Sequence, residues 1–238
     1  MGTSRHCQAL LFPHPQRFSE ALRSVVAGNV LASWELQVEA VGLEKRYVLV
    51  GPATPDALRL PFLTWSAGQR EFVPLLLGLY RLMPAGSRPR RGRLEWAVIE
   101  EPEMGLHPQA IAATMAFVLE LLRRGYRVAL STHSTQVLDV VWGLRRLQHA
   151  GAGWEDVLRM LGLEHERGLR RAAERVLQAT VATYYLERGA PTRDISDLDP
   201  LAEEVAEAGW GGLTAFSERV ATVVADVMAR SVQVAGRV

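Results

Sequence analysis

Lysine is almost missing from this 238-residue chain: Lys45 is the only one, and the rest of the basic complement is arginine. Any chemistry that needs a lysine ammonium therefore has a single candidate position. Cys7 is likewise the only cysteine, which excludes an intramolecular disulfide and suits a reducing, cytoplasmic setting. No apolar run reaches the roughly 18 residues of a membrane span, and the first residues lack the basic-then-apolar pattern of a signal peptide. The expectation is that no membrane is involved. A net charge of +1 gives no global attraction to nucleic acid or to a lipid surface. There is no internal repeat and no low-complexity segment. What remains is a globular chain with enough apolar residues for a full core.

The apolar spacing orders the chain. Residues 1–16, with Pro13, Pro15 and two histidines, read as an irregular leader, and Phe18, Leu22, Val25 and Val26 predict a helix. Residues 34–50 alternate as two strands around a turn at Glu44–Arg46. Residues 51–63 read as loop, and a helix runs from Ser66 through Leu82. Two short apolar runs, Trp96–Ile99 and Val128–Leu130, flank a helix from Pro108 to Arg124 that Gly125 ends. Strand, helix and strand of these lengths make a βαβ unit with parallel strands. Residues 134–146 and 154–178 read as helices, 181–186 as a strand before a turn at Gly189–Pro191, and 201–208 and 214–230 as helices.

The stretch "WAVIEEPEMGLHPQ", residues 96–109, places Glu100, Glu101 and Glu103 at the end of an apolar strand. In open parallel sheets, ligands bind at the carboxyl ends of the strands. Successive strand residues face opposite ways, so Glu100 and Glu101 would do different jobs. One can hold a metal ion, and the other can orient or deprotonate a water. Pro102 ends the ladder by removing an N–H donor. Alone, these acids read equally well as a solvated loop. The second strand ends in Ser131, Thr132 and His133, just before a helix. His133 could reach a nucleotide phosphate there, or simply stand beside the capping hydroxyls Thr132 and Ser134. In "TWSAGQREF", residues 64–72, Ser66 is a good N-cap, and Ala67 and Gly68 allow close backbone approach. A helix N-terminus of this kind can receive an anion.

Taken in order, these pieces resemble the second half of an ABC-type ATPase domain, in the soluble OLD-like, RecF-like and related AAA group of bacterial proteins. "SAGQ" (Ser66, Ala67, Gly68, Gln69) resembles the signature motif, "WAVIEEPEMGLHP" the Walker B strand with its catalytic acid and D-loop, and "LSTHS" the switch-histidine strand. The resemblance implies an α/β fold, a partial P-loop NTPase (ABC-ATPase-like) domain with parallel strands, flanking helices and a C-terminal strand hairpin. It implies ATP and Mg²⁺ as cofactors. Glu100 would hold Mg²⁺, Glu101 would polarise water, and His133 would meet the γ-phosphate. Ser66, Ala67, Gly68 and Gln69 would contact a nucleotide held mainly by a partner subunit, with Leu106 and His107 near the dimer seam. The domain layout expected is 1–33 as leader and helix, 34–150 as the ATPase-like core lobe, and 151–238 as a helical and hairpin extension of the same domain.

Such an ATPase also needs a P-loop, G-x-x-x-x-G-K-[ST], whose backbone N–H groups and lysine cradle the phosphates. Lys45 lies in "GLEKRY", with no glycine immediately before it and no Ser or Thr immediately after it. No other lysine exists to replace it. Gln37 is the one stray candidate for a Q-loop glutamine. The expectation is a lobe that binds ATP weakly alone and needs another chain: a P-loop-bearing polypeptide or a second ATPase subunit, with a homodimer as one form. DNA stays open as a partner. The alternative is a non-catalytic interaction module that keeps an ATPase-like surface.

Three further readings compete. Asp194, Asp197 and Asp199 form an aspartate cluster like that of a toprim nuclease, but no glutamate-glycine strand precedes it. His6, Cys7 and His14 could be metal ligands, although a Pro-rich leader rarely builds such a site. Arg159, Arg167, Arg170, Arg171 and Arg175 could meet phosphate, but interleaved Glu164, Glu166 and Glu174 favour a solvated helix face.

Overall fold

The structure is a computed structural model and describes residues 7–9, 18–29, 31, 34–41, 44–51, 58–84, 88–90 and 92–235. It divides into two compact units, Met1–Thr132 with Arg146–Ala179, and His133–Arg145 with Thr180–Val238.

The first unit opens with helix α1 (Glu20–Asn29). The Ser19 hydroxyl caps it by accepting from the Leu22 N–H at 3.2 Å. Phe18, Leu22, Val25 and Val26 are all buried, as their spacing predicts. Strands β2 (Glu35–Val41) and β3 (Glu44–Val50) form the expected hairpin, with buried Leu36 opposite buried Leu49. Two edges were not foreseen. Strand β1 (Cys7–Ala9), read as part of an irregular leader, pairs antiparallel with β2. His6 and His14 lie outside the described residues. Strand β4 (Arg59–Pro61), read as loop, pairs with β3. Pairing with a distant strand overrides the local prolines there: Leu60 sits opposite Leu49, and the Trp65 indole N–H donates to the Leu60 carbonyl at 2.8 Å. Lys45 stands in β3 opposite Ala40, so its backbone is a strand of a hairpin rather than a loop before a helix. Gln37 pairs with Val48 in the same ladder, and its amide donates to Glu35.

Helix α2 (Ala67–Leu82) leads to strand β5 (Trp96–Glu100), helix α3 (Pro108–Arg123) and strand β6 (Arg127–Ser131). β5 and β6 are parallel, from Trp96 opposite Arg127 to Glu100 opposite Ser131, which is the βαβ unit read from sequence. α3 ends in a Schellman closure. The Tyr126 N–H donates to the Leu121 carbonyl and Gly125, at φ +88°, donates to Leu122. The helix is buried on nearly every side, and Phe117 meets the edge of Phe18 at 5.1 Å between ring centres.

Helix α4 (Thr135–His149) crosses from the second unit into the first. The region 154–178, expected to be helical, holds α5 (Trp154–Met160), a 3-10 turn (Arg167–Leu169) and α6 (Arg170–Val176). Gly162 breaks it: at φ +66° it closes α5 with a second Schellman pair, Leu163 N–H to Leu158 carbonyl and Gly162 N–H to Arg159 carbonyl. Arg159 pairs locally with Asp156 at 2.8 Å, and Arg170 with Glu174 at 2.7 Å while lying over the Trp154 ring. These arginines belong to a solvated face.

The second unit holds a hairpin of β7 (Tyr184–Tyr185) and β8 (Arg193–Asp194), then α7 (Val205–Ala208) and α8 (Ala215–Ala235). Helix α7 is shorter than the run 201–208 suggested. A small core of Ile195, Leu198 and Ala206 packs with Trp142, Tyr185 and Trp210. The aspartates weighed as a nuclease cluster each have a structural partner within this unit. Asp194 accepts from the Ser196 N–H, Asp197 pairs with Arg145 at 2.6 Å, and Asp199 accepts from the Leu201 N–H. The Ser196 side chain, and then its N–H, hold the Asp194 carboxyl below its ordinary value. Among the described residues, no helix is long and apolar enough to cross a membrane.

Candidate functional site

β5 follows a strict two-residue period. Ala97 and Ile99 are buried, while Trp96 is 56% exposed, Val98 70%, and Glu100 is exposed on the same side. Glu100 is the last strand residue, opposite Ser131. Glu101 then leaves the extended region for a left-handed backbone at φ +44°. A side chain there costs about 1–2 kcal/mol. Two hydrogen bonds hold it in place: its N–H donates to the Ser131 carbonyl at 2.9 Å, and its carbonyl accepts from the Met104 N–H at 3.0 Å. The strand-face argument for Glu100 and Glu101 therefore stops one residue early. The two acids are separated by a backbone reversal rather than by the pleat. Strain of this kind, held by surrounding bonds, recurs where a side chain must be presented in a fixed direction.

The turn continues through buried Pro102 to Gly105 at φ +67°, and the Leu106 N–H donates to the Glu103 carbonyl. His107 then caps α3, its Nδ1 accepting from the Gln109 N–H at 3.4 Å, with Pro108 in the first helical position. Glu103 also has a defined place: its Oε1 accepts from the Thr132 hydroxyl at 2.7 Å. That bond ties the acid turn to the end of β6. Sequence reading noted Glu103 only as a third acid and Thr132 only as a cap. The signal was present, because both lie in the two quoted motifs.

At the start of α2, Ser66 and Gln69 form a reciprocal capping box. The Gln69 N–H donates to the Ser66 hydroxyl at 3.2 Å, and the Ser66 N–H to the Gln69 side-chain oxygen at 3.0 Å. Ser66 and Ala67 are exposed. Gly68 lies against Gly105: the backbone nitrogen of Gly68 is 3.0 Å from where a Gly105 Cβ would stand, and a Cβ on Gly68 would overlap the Gly105 carbonyl oxygen. Two segments read separately from sequence are thus a single packed unit. Gly105 itself was missed, although a glycine in a tight turn is a known sign of left-handed backbone or close approach.

Between α2 and the acid turn lies a cavity of about 190 Å³ lined by Glu71, Phe72, Val98, Glu100, Glu101 and Leu106, among others. The structure thus brings together Glu100, Glu101 and Leu106, and it packs Gly68 on the same turn. Glu71 is an addition that sequence reading did not single out. His133 opens the second unit, exposed, one residue beyond Thr132.

Among the described residues, no three His, Cys, Asp or Glu side chains converge closely enough to hold a metal ion on their own. Mg²⁺ does not require such a cage. It is commonly held by one or two carboxylates plus phosphate oxygens and waters. An exposed Glu100 carboxylate at the strand end fits that donor set.

A family model described as AAA domain, putative AbiEii toxin, Type IV TA system, matches residues 20–139, about half of the chain. Neither the curated proteins nor the solved structures yield a match.

Proposed function

Because the chain belongs to this AAA-domain family, P-loop NTPase-like in class and ATPase-like in nucleotide binding, we propose that it is an ABC/OLD-like ATPase lobe. Its phosphate grip comes from another polypeptide or subunit. The observation that carries this reading is the face of β5. Trp96, Val98 and Glu100 stand exposed in a row, directly beside the acid-lined cavity. Parallel strands are ordinarily covered on both faces. A two-stranded parallel sheet that leaves Trp96 and Val98 open fits a surface on which another element is laid. Glu100 ends that same open row, where a phosphate-bearing element would meet it.

In this reading Glu100 supplies a carboxylate oxygen to Mg²⁺, and the ion would neutralise developing phosphate charge when bound. Glu101, fixed by the left-handed turn, orients and polarises the attacking water. His133 meets the γ-phosphate from the end of β6. The N-terminal turn of α2, with Ser66, Ala67, Gly68 and Gln69, faces a nucleotide held by the partner, and Leu106 and His107 lie at the seam between subunits. Lys45 belongs to a hairpin strand rather than to a loop before a helix, so it does not supply a P-loop.

Thermal unfolding of the wild-type chain with Mg·ATP tests the reading. A nucleotide present at about 100 times its Kd adds about 2.7 kcal/mol, or roughly 5–10 °C for a chain of this size. The expected result is a shift far below that at millimolar Mg·ATP, with Glu101→Gln indistinguishable from wild type. A full shift that Glu100→Gln removes would place a complete phosphate site within this chain and sink the partner requirement.

A further inference from the structure

The structure divides the arginines between residues 154 and 178 into two groups. Arg159 and Arg170 are neutralised by Asp156 and Glu174. Arg167, Arg171 and Arg175 are exposed and make no ion pair or side-chain hydrogen bond among the described residues. Their placement follows from what α6 buries. Leu169, Ala172, Ala173 and Val176 are at most 2% exposed, and α6 packs against α3 and α5. Arg171 and Arg175 are one helical turn apart on the side away from those residues, and Arg167 stands four residues earlier in the adjoining 3-10 turn. At about 1.5 Å of rise per residue, the three guanidiniums form a ridge about 12 Å long. The one acid within α6, Glu174, is already paired with Arg170, and the unpaired Glu164 and Glu166 precede the ridge.

Three classes of partner carry enough negative charge to meet such a ridge. Stable attachment to a lipid surface takes apolar side chains that enter the acyl boundary as well as charge. A protein interface takes a desolvated apolar centre. From Arg167 to Val176 no large apolar side chain is exposed, so the ridge offers neither. Nucleic acid needs no apolar anchor, and its interfaces are more polar and more positive than those between proteins. Guanidinium also suits it, because the planar fork can grip a phosphate through two N–H donors. Phosphates advance about 3.4 Å per nucleotide along each strand of a duplex, so a ridge of about 12 Å reaches three of them at once.

We propose that Arg167, Arg171 and Arg175 form a binding surface for the phosphate backbone of duplex nucleic acid. The ridge contacts phosphates and no bases, so it is indifferent to sequence. It lies outside the residues that carry the nucleotide-binding reading, and the two proposals stand or fall separately.

Fluorescence anisotropy of a labelled duplex of about 20 base pairs, titrated with the full chain from about 10 to 100 mM salt, provides the test. DNA and RNA duplexes are run side by side, and binding of either supports the proposal, the tighter one naming the natural source. Three phosphate contacts predict a slope of log affinity against log salt of about −2.7. Arg167→Gln, Arg171→Gln and Arg175→Gln should each flatten it by about 0.9, and the triple variant should abolish binding. Arg188→Gln, at an equally exposed arginine of the second unit, should change nothing. Absence of binding at the lowest salt overturns the proposal. So does a triple variant that binds like wild type, or an Arg188→Gln loss as large as the ridge variants show. Tighter binding to polyglutamate or to phosphatidylserine vesicles than to either duplex would assign the ridge to an acidic protein or a membrane instead. Far-UV circular dichroism checks each fold, and if the triple variant fails to fold the single variants decide.

Discussion

Glu120→Ala is expected to lower the unfolding free energy by about 3–5 kcal/mol, read as a fall in the urea midpoint. Glu120 sits near the end of α3 with 4% of its surface exposed, and Arg124, at 3%, is as deeply buried. The Arg124 Nε donates to Glu120 Oε1 at 2.6 Å, and Arg123 donates to both carboxylate oxygens at 2.6 Å. Arg124 also donates to the Pro84 carbonyl at 2.7 Å and to that of Arg88. Truncating Glu120 removes the carboxylate that balances a guanidinium charge held out of water. Arg123 is more exposed and can turn outward, so the loss falls on Arg124. The effect does not stay in the helix. Arg124 holds the segment that leads into β5, and its own carbonyl accepts from the Arg90 N–H at 2.7 Å. Misplacing that segment would move the strand that presents Glu100 and Glu101. The pair as a whole need not be stabilising: in similar sites, replacing both charges by apolar groups is often neutral or better. Glu120→Leu with Arg124→Leu should therefore recover most of the loss. A single Glu120→Ala variant within 1 kcal/mol of wild type, on the scale of an exposed ion pair, would count against burial as the cause.

The elements around the candidate site were legible in sequence wherever their signals were local. The run Trp96–Glu100 followed by Pro102, the glycine at 125 and the cap at Ser66 each act on their own neighbours, and each element formed where it was read. The same locality explains the failures. β1 and β4 are three residues each, too short to show a period, and they exist because β2 and β3 offer free edges. The 154–178 run reads as helical and arginine-rich, but nothing in that pattern places the break between its helices. Gly162 ends α5 through a closure whose hydrogen bonds involve Leu158 and Arg159, which the charge pattern hides. Burial of Glu120 is a property of what surrounds α3, and the sequence shows only a glutamate before two arginines. The joint between Ser66–Gln69 and the acid turn could not be read at all, because it depends on two glycines far apart in sequence meeting backbone to backbone.

That joint gives the second large effect, and three glycines separate its causes. Gly125→Ala keeps φ near +88° in open space, so it should cost only the left-handed backbone term, about 1–2 kcal/mol. Gly105→Ala carries the same term at φ +67° and adds a Cβ placed 3.0 Å from the Gly68 nitrogen and 3.1 Å from its Cα. Overpacking typically costs about 1–3 kcal/mol more, so the total should reach about 2–5 kcal/mol. Gly68→Ala isolates the remaining term. Gly68 lies inside α2 with ordinary helical backbone, where alanine would by itself favour the helix by about 1 kcal/mol. Its Cβ would overlap the Gly105 carbonyl oxygen, which is backbone and cannot swing aside. Thermal or urea unfolding of the three variants should therefore rank Gly105→Ala as most destabilising, with Gly68→Ala a net loss despite its better helix propensity. A stabilised Gly68→Ala would mean that the first turn of α2 and the turn after Glu101 move freely past each other. They could not then present the helix N-terminus and the two acids as one rigid surface, which is the geometry an ATPase lobe completed by a partner would need.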